Sequence, residues 1–128
     1  MDSVVHFEIP ADDSKRAQSF YKKVFGWHTE EMKMPGMEYV MARTTETDEK
    51  SMAPKQPGAI NGELADRKML KNPTVTIGVS DINASLKKVE KEGGKTVMPR
   101  QSLGKDMGAI AYFKDSEGNI IGLWESPA

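Results

Sequence analysis

His6 and Glu8 are the residues whose types and spacing most favour chemistry. They stand two apart in a β-rich run, residues 4–9, that is bounded by Pro10. On a β-strand such residues share one face. An imidazole beside a carboxylate can act as a general base or bind a ligand by hydrogen bonds. We therefore take His6 and Glu8 as candidate catalytic residues, with a purely structural histidine as the alternative.

Other candidates are aromatic or amide side chains in predicted strands. Trp124 lies in the last predicted strand and can stack on a flat ligand, although a core tryptophan is the commoner case. Tyr112 and Asn61 are weaker candidates for ligand binding. His28 follows Trp27 at a predicted strand end, and we expect it at the surface.

The composition limits the classes of function. The 128 residues are 38% hydrophobic and 29% charged, with a net charge of -1. One domain is therefore the default, and nothing suggests a nucleic-acid partner. The chain has no cysteine, which excludes disulfides, thiolate metal sites and cysteine nucleophiles. We see no signal peptide and no apolar run of membrane-spanning length, so we expect a cytoplasmic protein without membrane contact.

The elements that must position these residues follow from an internal repeat. Tyr21-Lys-Lys-Val and Leu86-Lys-Lys-Val lie half a chain apart, each inside a predicted helix that follows a strand. The predicted order is βαβββ twice, with module one at about 1–66 and module two at about 73–128. This predicts an α+β domain with outer helices and two curved sheets forming a cup. Each module is too small to bury a good core alone, so the groove between them is the expected ligand site.

Local signals predict the bounds of these elements. In module one they indicate a strand at 4–9, a helix from Asp12-Asp13-Ser14 to Gly26, a hairpin with strands 27–34 and 37–44 around Pro35-Gly36, a loop at 45–57 and a short strand at 59–64. In module two they indicate strands at 73–79, 109–113 and 119–125, a helix at 81–92, and a strand from Lys95 that Pro99 disturbs.

Three motifs give the chain a family resemblance. It resembles the vicinal oxygen chelate superfamily, which includes glyoxalase I, bleomycin-resistance proteins and extradiol dioxygenases. The motifs are His6-Phe-Glu-Ile, Phe20-Tyr-Lys-Lys-Val-Phe-Gly-Trp27 and Phe113-Lys-Asp-Ser-Glu-Gly-Asn119. The match spans essentially the whole chain. It implies two βαβββ modules, usually in a homodimer, with either a divalent metal or a metal-free ligand in the cup.

The resemblance also implies four metal-ligand positions, on the first and last strand of each module. Counting from the motifs places them at His6, Gly62, Thr74 and Gly122. Glycine offers no side-chain donor and threonine a poor one, so we expect no tightly bound metal and predict no cofactor. Glu8, Glu63 and Glu125 offer an alternative donor set. Glu63 and Glu125 stand off the expected positions, and regular strands would point them to the opposite face.

Gly62 and Gly122 suggest an open floor in the cup, where a flat ligand could approach the backbone. The alternative is that they only relieve crowding where the sheets curve. By the repeat, Thr74 and Thr76 are the counterparts of His6 and Glu8 and should look into the same cavity. A leucine at Gly122 should then block the ligand and leave the fold largely intact, unless the glycine adopts a backbone geometry that leucine cannot.

Two functional classes remain. The first is a glyoxalase-like protein that binds a small organic molecule without the usual metal. Its expected site residues are His6, Glu8, Gly62, Thr74, Thr76, Tyr112, Gly122 and Trp124. The second is a metal-dependent or atypical lyase, isomerase or dioxygenase. The expected partners are a small molecule and a second copy of the chain.

Overall fold

The computed structural model describes residues 1–34 and 37–127. Its elements, in chain order, are β1 (Val4–Ala11), α1 (Ser14–Phe25), β2 (His28–Met34), β3 (Met37–Arg43), β4 (Gly62–Asp66), β5 (Thr74–Val79), α2 (Ile82–Lys91), β6 (Lys95–Ser102), β7 (Ala109–Lys114) and β8 (Ile120–Glu125). The predicted order, βαβββ twice, and the α+β class are confirmed. The predicted turn at Pro35-Gly36 lies outside the described residues.

The chain divides into two compact units. The first unit is His6–Pro73, and the second is Met1–Val5 together with Thr74–Ala128. The start of β1 thus belongs with the second unit, where the Gly78 amide donates to the Ser3 carbonyl oxygen at 2.9 Å.

In the first unit the strands lie in the order β2-β3-β4-β1. β1 and β4 are parallel, whereas β3 is antiparallel to both β2 and β4. Helix α1 begins as predicted: the Asp13 carboxylate accepts the Arg16 amide, and Gly26 ends the helix with a φ of 74°. The buried core of the sheet is Val40, Ala42 and Leu64.

An aromatic cluster connects α1 to this sheet. The Tyr21 and Trp27 rings stack with their centroids 4.6 Å apart, and Trp27 also lies 5.5 Å from Phe7 of β1. The apolar residues that recur at helical spacing in α1 are only partly buried. Phe20, Val24 and Phe25 remain more than half exposed.

Strand β4 begins later than the predicted 59–64. The Asn61 side chain accepts the Thr44 amide at 2.9 Å and donates to the Thr47 hydroxyl at 2.8 Å. The Thr44 hydroxyl also donates to the Ile60 carbonyl oxygen at 2.6 Å. These bonds hold residues 60–61 in the preceding loop, so strand β4 begins at Gly62.

In the second unit the strands lie in the order β5-β8-β7-β6. Asp81, expected as the first residue of the helix 81–92, instead caps α2 by accepting the Ala84 amide. Ile82 and Leu86 of α2 pack on a buried cluster formed by Ala109, Ala111, Phe113 and Leu123. Strand β6 continues through Pro99, but its register with β7 shifts on both sides of Met98, as expected for a strand interrupted by proline.

No helix in the described part of the chain has the length and apolarity needed to cross a bilayer.

Candidate functional site

His6, Glu8 and Glu63 form the only group in the described residues that could hold a metal ion, and all three belong to the first unit. Their nearest donor atoms lie within 4.8 Å of one another. His6 and Glu8 share a face of β1, and Glu8 lies directly opposite Glu63 on the parallel strand β4. The His6 Nε2 atom is 4.0 Å from Glu63 Oε2. We call these three residues the carboxylate cluster.

Burial gives the carboxylate cluster unusual acid–base properties. Glu8 is only 6% exposed, and about a quarter of the Glu63 side chain is exposed. Burial, the charge of Glu8 and a hydrogen bond to Glu8 together raise the pKa of Glu63 to about 8. At neutral pH the two carboxyl groups therefore share one proton, because both cannot ionise at this separation.

His6 and Tyr39 complete the electrostatics of this face. Burial lowers the pKa of His6 below its ordinary value of 6.5, so its imidazole is neutral at pH 7. Tyr39 stands two residues before Met41, which pairs with Glu63, and therefore lies on the Glu63 side of the sheet. Burial and the Glu63 charge raise the pKa of Tyr39, which keeps its phenol protonated.

The carboxylate cluster also fits a divalent cation. It offers one imidazole nitrogen and two carboxylate groups, a donor set suited to transition metals and compatible with open positions for a ligand. A cation there would favour loss of the shared proton, because ligating carboxylates must be ionised.

The sequence placed one of the four expected metal-ligand positions on the wrong residue. It used Gly62, but the register places Glu63 opposite Glu8, just as Gly122 stands opposite Thr76 in the second unit. The counterpart of Gly122 is therefore Glu63, and Glu63 does not point away from His6. Glu63 could have been found from its pairing with Glu8. That pairing depends on where β4 begins. The expectation that no metal binds rested on this count, and it stays a prediction.

Gly62 and Gly122 do not leave the open floor that the sequence suggested. A Cβ atom on Gly62 would meet the Phe7 carbonyl oxygen and lie 2.5–2.6 Å from two Phe7 ring carbons. A Cβ atom on Gly122 would lie 2.7 Å from the Thr76 hydroxyl oxygen and 3.4 Å from the Tyr112 ring. Neighbouring strands therefore fill the space beside both glycines. The expectation that leucine at Gly122 leaves the fold largely intact stays a prediction, and these contacts argue against it.

The other predicted site residues lie in the second unit. Thr76, Gly122 and Tyr112 form a row across β5, β8 and β7, and Thr74 and Thr76 are buried on one face of β5. The indole Nε1 of Trp124 donates to the Met107 carbonyl oxygen at 3.0 Å, so its polar edge already has a structural partner. The predicted cup that combines these residues with His6 and Glu8 stays a prediction.

Three minor expectations also have an outcome. His28 is exposed, as predicted. Asn61 uses its side chain to hold the Thr44 amide and the Thr47 hydroxyl, which is a structural role. Glu125, the other carboxylate of the alternative donor set, pairs with Arg100 at 2.9 Å and accepts the Ile82 amide at 2.8 Å, so it supports the start of α2.

Comparison with known proteins identifies the family. Residues 3–45 match the family model described as bleomycin resistance protein-like N-terminal. A glyoxylase-like domain-containing protein of Didymella fabae is 30% identical over 122 residues, which cover 94% of this chain and 91% of that protein. The chain belongs to the vicinal oxygen chelate superfamily.

A longer relative agrees with this assignment. CFP32 of Mycobacterium tuberculosis, which carries a glyoxylase name, is 31% identical over 121 residues. The match covers 93% of this chain, which thus spans about half the length (44%) of that relative.

Solved structures show the same fold. A hypothetical protein of Bacillus halodurans has a TM-score of 0.70 at 13% identity, covering 99% of this chain and 96% of that one. Methylmalonyl-CoA epimerase of Mycobacterium tuberculosis has a TM-score of 0.63 at 20% identity, covering 98% and 87%. The Streptomyces coelicolor epimerase has a TM-score of 0.69 at 17% identity, covering 98% and 97%. The glyoxalase/bleomycin-resistance/dioxygenase fold is therefore confirmed.

Proposed function

We propose that this superfamily member binds a small carbonyl-containing organic molecule at the carboxylate cluster and transfers a proton to and from it. The observation that carries the proposal is the geometry of the carboxylate cluster. Glu8 and Glu63 stand opposite each other on paired strands, and the His6 Nε2 atom lies 4.0 Å from Glu63 Oε2. A general acid or base works best when its pKa lies near the operating pH, and Glu63 meets that condition.

The cluster supplies both halves of a proton exchange. The ionised carboxylate takes a proton from the carbon next to the ligand carbonyl, and the electron pair of that C–H bond delocalises onto the carbonyl oxygen. The neutral carboxyl group then returns a proton to the same carbon. The cluster ends with one proton, as it began, and no oxidant or reductant is needed. Tyr39, which stays protonated, is a candidate donor to the developing oxyanion.

The named neighbours support this reaction class by analogy of fold. Several are methylmalonyl-CoA epimerases, and epimerisation replaces the hydrogen on one carbon. Fold alone does not assign function, so the chemistry of the cluster carries the proposal. The ligand of this chain is proposed only as a class, a small molecule with an acidic C–H beside a carbonyl.

The experiment follows exchange of carbon-bound hydrogen in D₂O by proton NMR. Methylmalonyl-CoA and a panel of small 2-oxo compounds are the probes, each compared with a protein-free sample. We expect the parent to accelerate exchange on at least one probe, and Glu63→Gln and Glu8→Gln to lose about 100-fold or more of that rate. Glu117→Gln, an exposed turn residue, is the matched control and should keep the parent rate. If Glu63→Gln exchanges as fast as the parent, the carboxylate cluster is not the acid–base site.

A second candidate function has its own supporting observation. The three donors lie close enough together to share one divalent cation, with His6, Glu8 and Glu63 as ligands. A cation held there would polarise the carbonyl oxygen of the ligand as a Lewis acid. A calorimetric titration with Mn²⁺ and Zn²⁺ separates the two candidates: a stoichiometric submicromolar site lost in His6→Ala favours the metal-dependent one.

A further inference from the structure

An unsatisfied arginine lies in a groove at the end of β3. The Arg43 side chain is only 17% exposed, and its Nη1 atom pairs with Glu49 at 3.2 Å. Its Nε–H is buried and has no acceptor among the described residues. Leaving a buried donor without a partner destabilises the fold, so an acceptor oxygen is expected to come from elsewhere.

The groove around Arg43 is large enough for a small anion and carries several donors. Its volume is about 500 Å³. It is lined by Gly26, His28, Arg43, Thr44, Thr45, Glu46, Thr47, Glu49 and Lys55. Arg43 and Lys55 are its cations, and Glu46 and Glu49 are its carboxylates. Glu49 is 78% exposed, so its side chain can leave Arg43 at little cost.

The wall of this groove is built by hydrogen bonds. The Lys55 amide donates to the Glu46 carbonyl oxygen at 2.9 Å, and the Asp48 amide donates to the Ala53 carbonyl oxygen at 2.9 Å. Asn61 fixes Thr44 and Thr47 in the same loop. The groove therefore does not depend on Glu49 to keep its shape.

Arg43 also lies on the same side of the sheet as the carboxylate cluster. It stands two residues beyond Met41, which is directly opposite Glu63, so the two side chains share a face. Two residues of strand correspond to about 7 Å. Arg43 is therefore displaced from the level of Glu63 by about this distance along the strand.

We propose that the Arg43 groove binds an oxyanion, a carboxylate or phosphate group of the ligand, with Arg43 and Lys55 as its donors. This inference rests on the proposed function and narrows its ligand to a small anionic carbonyl compound. The planar guanidinium suits such a group because it can offer two parallel N–H donors, and the oxyanion replaces Glu49 as the partner of Arg43.

The test is a titration of the ¹⁵N-labelled chain with inorganic phosphate, and separately with acetate, at constant ionic strength set with chloride. Amide shifts of Thr44–Thr47 and Lys55 report the groove. We expect saturable, localised shifts with at least one of the two anions, and the tighter of the two identifies the preferred group. The absence of saturable shifts with both would overturn the proposal.

Four variants sharpen this test. Arg43→Gln should weaken anion binding about tenfold or more, whereas Arg67→Gln, an arginine paired with Asp12 outside the groove, should bind like the parent. Lys55→Ala, an exposed change that does not threaten folding, should weaken binding several-fold. Glu49→Gln should tighten binding, because it removes the competing carboxylate. Unchanged binding in both Arg43→Gln and Lys55→Ala contradicts the site, even if Arg43→Gln is less stable.

The proton-transfer proposal and the oxyanion-site proposal can be tested independently of each other. Glu63→Gln lies outside the groove and should keep the parent's affinity for phosphate or acetate. Loss of carbon–hydrogen exchange with intact anion binding would remove the proton-transfer proposal and keep the oxyanion site. Intact exchange without anion binding would overturn only the oxyanion site.

Discussion

Glu8 and Glu63 stand directly opposite each other on the parallel strands β1 and β4, and a hydrogen bond joins their carboxyl groups. Like charges so close cannot both be ionised at moderate cost, so the pair holds a proton at neutral pH. The proposed chemistry and the predictions on pH and on divalent cations rest on this pair.

The first prediction concerns stability and pH. The pKa of Glu63 rises from 4.5 in the unfolded chain to about 8 in the fold, so the folded state binds more protons between these values. The free energy of unfolding should therefore fall as pH rises through this window, by up to about 1.4 kcal/mol per pH unit from this group. Glu63→Gln removes this contribution, because glutamine keeps a donor toward Glu8 and does not ionise.

Urea denaturation of both proteins at pH 5, 6, 7 and 8 measures the effect. Groups outside the Glu8–Glu63 pair should titrate alike in both proteins, so the difference between the two curves reports the titration of this pair. Stability of Glu63→Gln relative to the parent should grow steadily with pH. A difference that stays constant from pH 5 to 8 would show that Glu63 titrates normally.

The second prediction concerns divalent cations. The cluster supplies three donors, and Glu63 must lose its proton before it can ligate. We expect Mn²⁺ to bind more weakly than micromolar at pH 7, and its affinity to rise up to about tenfold per pH unit below pH 8. Calorimetry at pH 6.5, 7.5 and 8.5 measures this dependence, with His6→Ala as the variant that should lose the site. Tight binding that neither pH nor His6→Ala changes would contradict it.

The sequence predicted most of the fold because its signals are local. Asp13 and Asp81 cap the two helices as their types suggest, and Gly26 ends α1 at the expected residue. The start of β4 was not predictable in this way, because it depends on the side-chain bonds of Asn61 to residues of the preceding loop. A shift of one residue on a strand moves each side chain to the other face, so Glu63 was expected on the wrong side.

Local sequence patterns also predicted only part of the candidate site. His6 and Glu8 were recognised from their spacing on one strand. Tyr39 and Arg43 were missed because their place beside the cluster depends on the pairing of β3 with β4, which no local pattern in the sequence reports.

The third prediction concerns the two strand glycines. Gly62→Ala should destabilise the chain by about 3 kcal/mol or more, because its Cβ meets the Phe7 backbone, which cannot move aside. Gly122→Ala should cost about 1–3 kcal/mol through its contact with the Thr76 hydroxyl.

A double variant tests this cause. Adding Thr76→Ala to Gly122→Ala removes the contacting hydroxyl and should recover part of the loss in chemical denaturation. Gly58→Ala, where the added atom meets nothing within 4 Å but φ is 84°, is the control and should cost about 1 kcal/mol. Equal losses in all three single variants would show that contact with neighbouring strands is not the cause.

The fourth prediction concerns assembly. Phe20, Val24 and Phe25 of α1 are each more than half exposed, which is typical of surfaces that associate. We expect a homodimer with about twice the chain mass of 14.2 kDa by light scattering. Phe25→Glu should shift the mass toward the monomer, and Lys22→Glu, an exposed charged position of the same helix, is the control. A monomeric parent at tens of micromolar would refute the dimer, and a dimer that survives Phe25→Glu would use another surface.

The most direct measurement of the central claim is a pH titration of the glutamate carboxyl carbons by ¹³C NMR. The account predicts one carboxyl group with an apparent pKa near 8, which is lost in Glu63→Gln and moves toward the ordinary value in Glu8→Gln. Glu117→Gln should leave it unchanged. If every glutamate titrates between about pH 4 and 5, Glu8 and Glu63 share no proton at neutral pH and the proposed acid–base site is wrong.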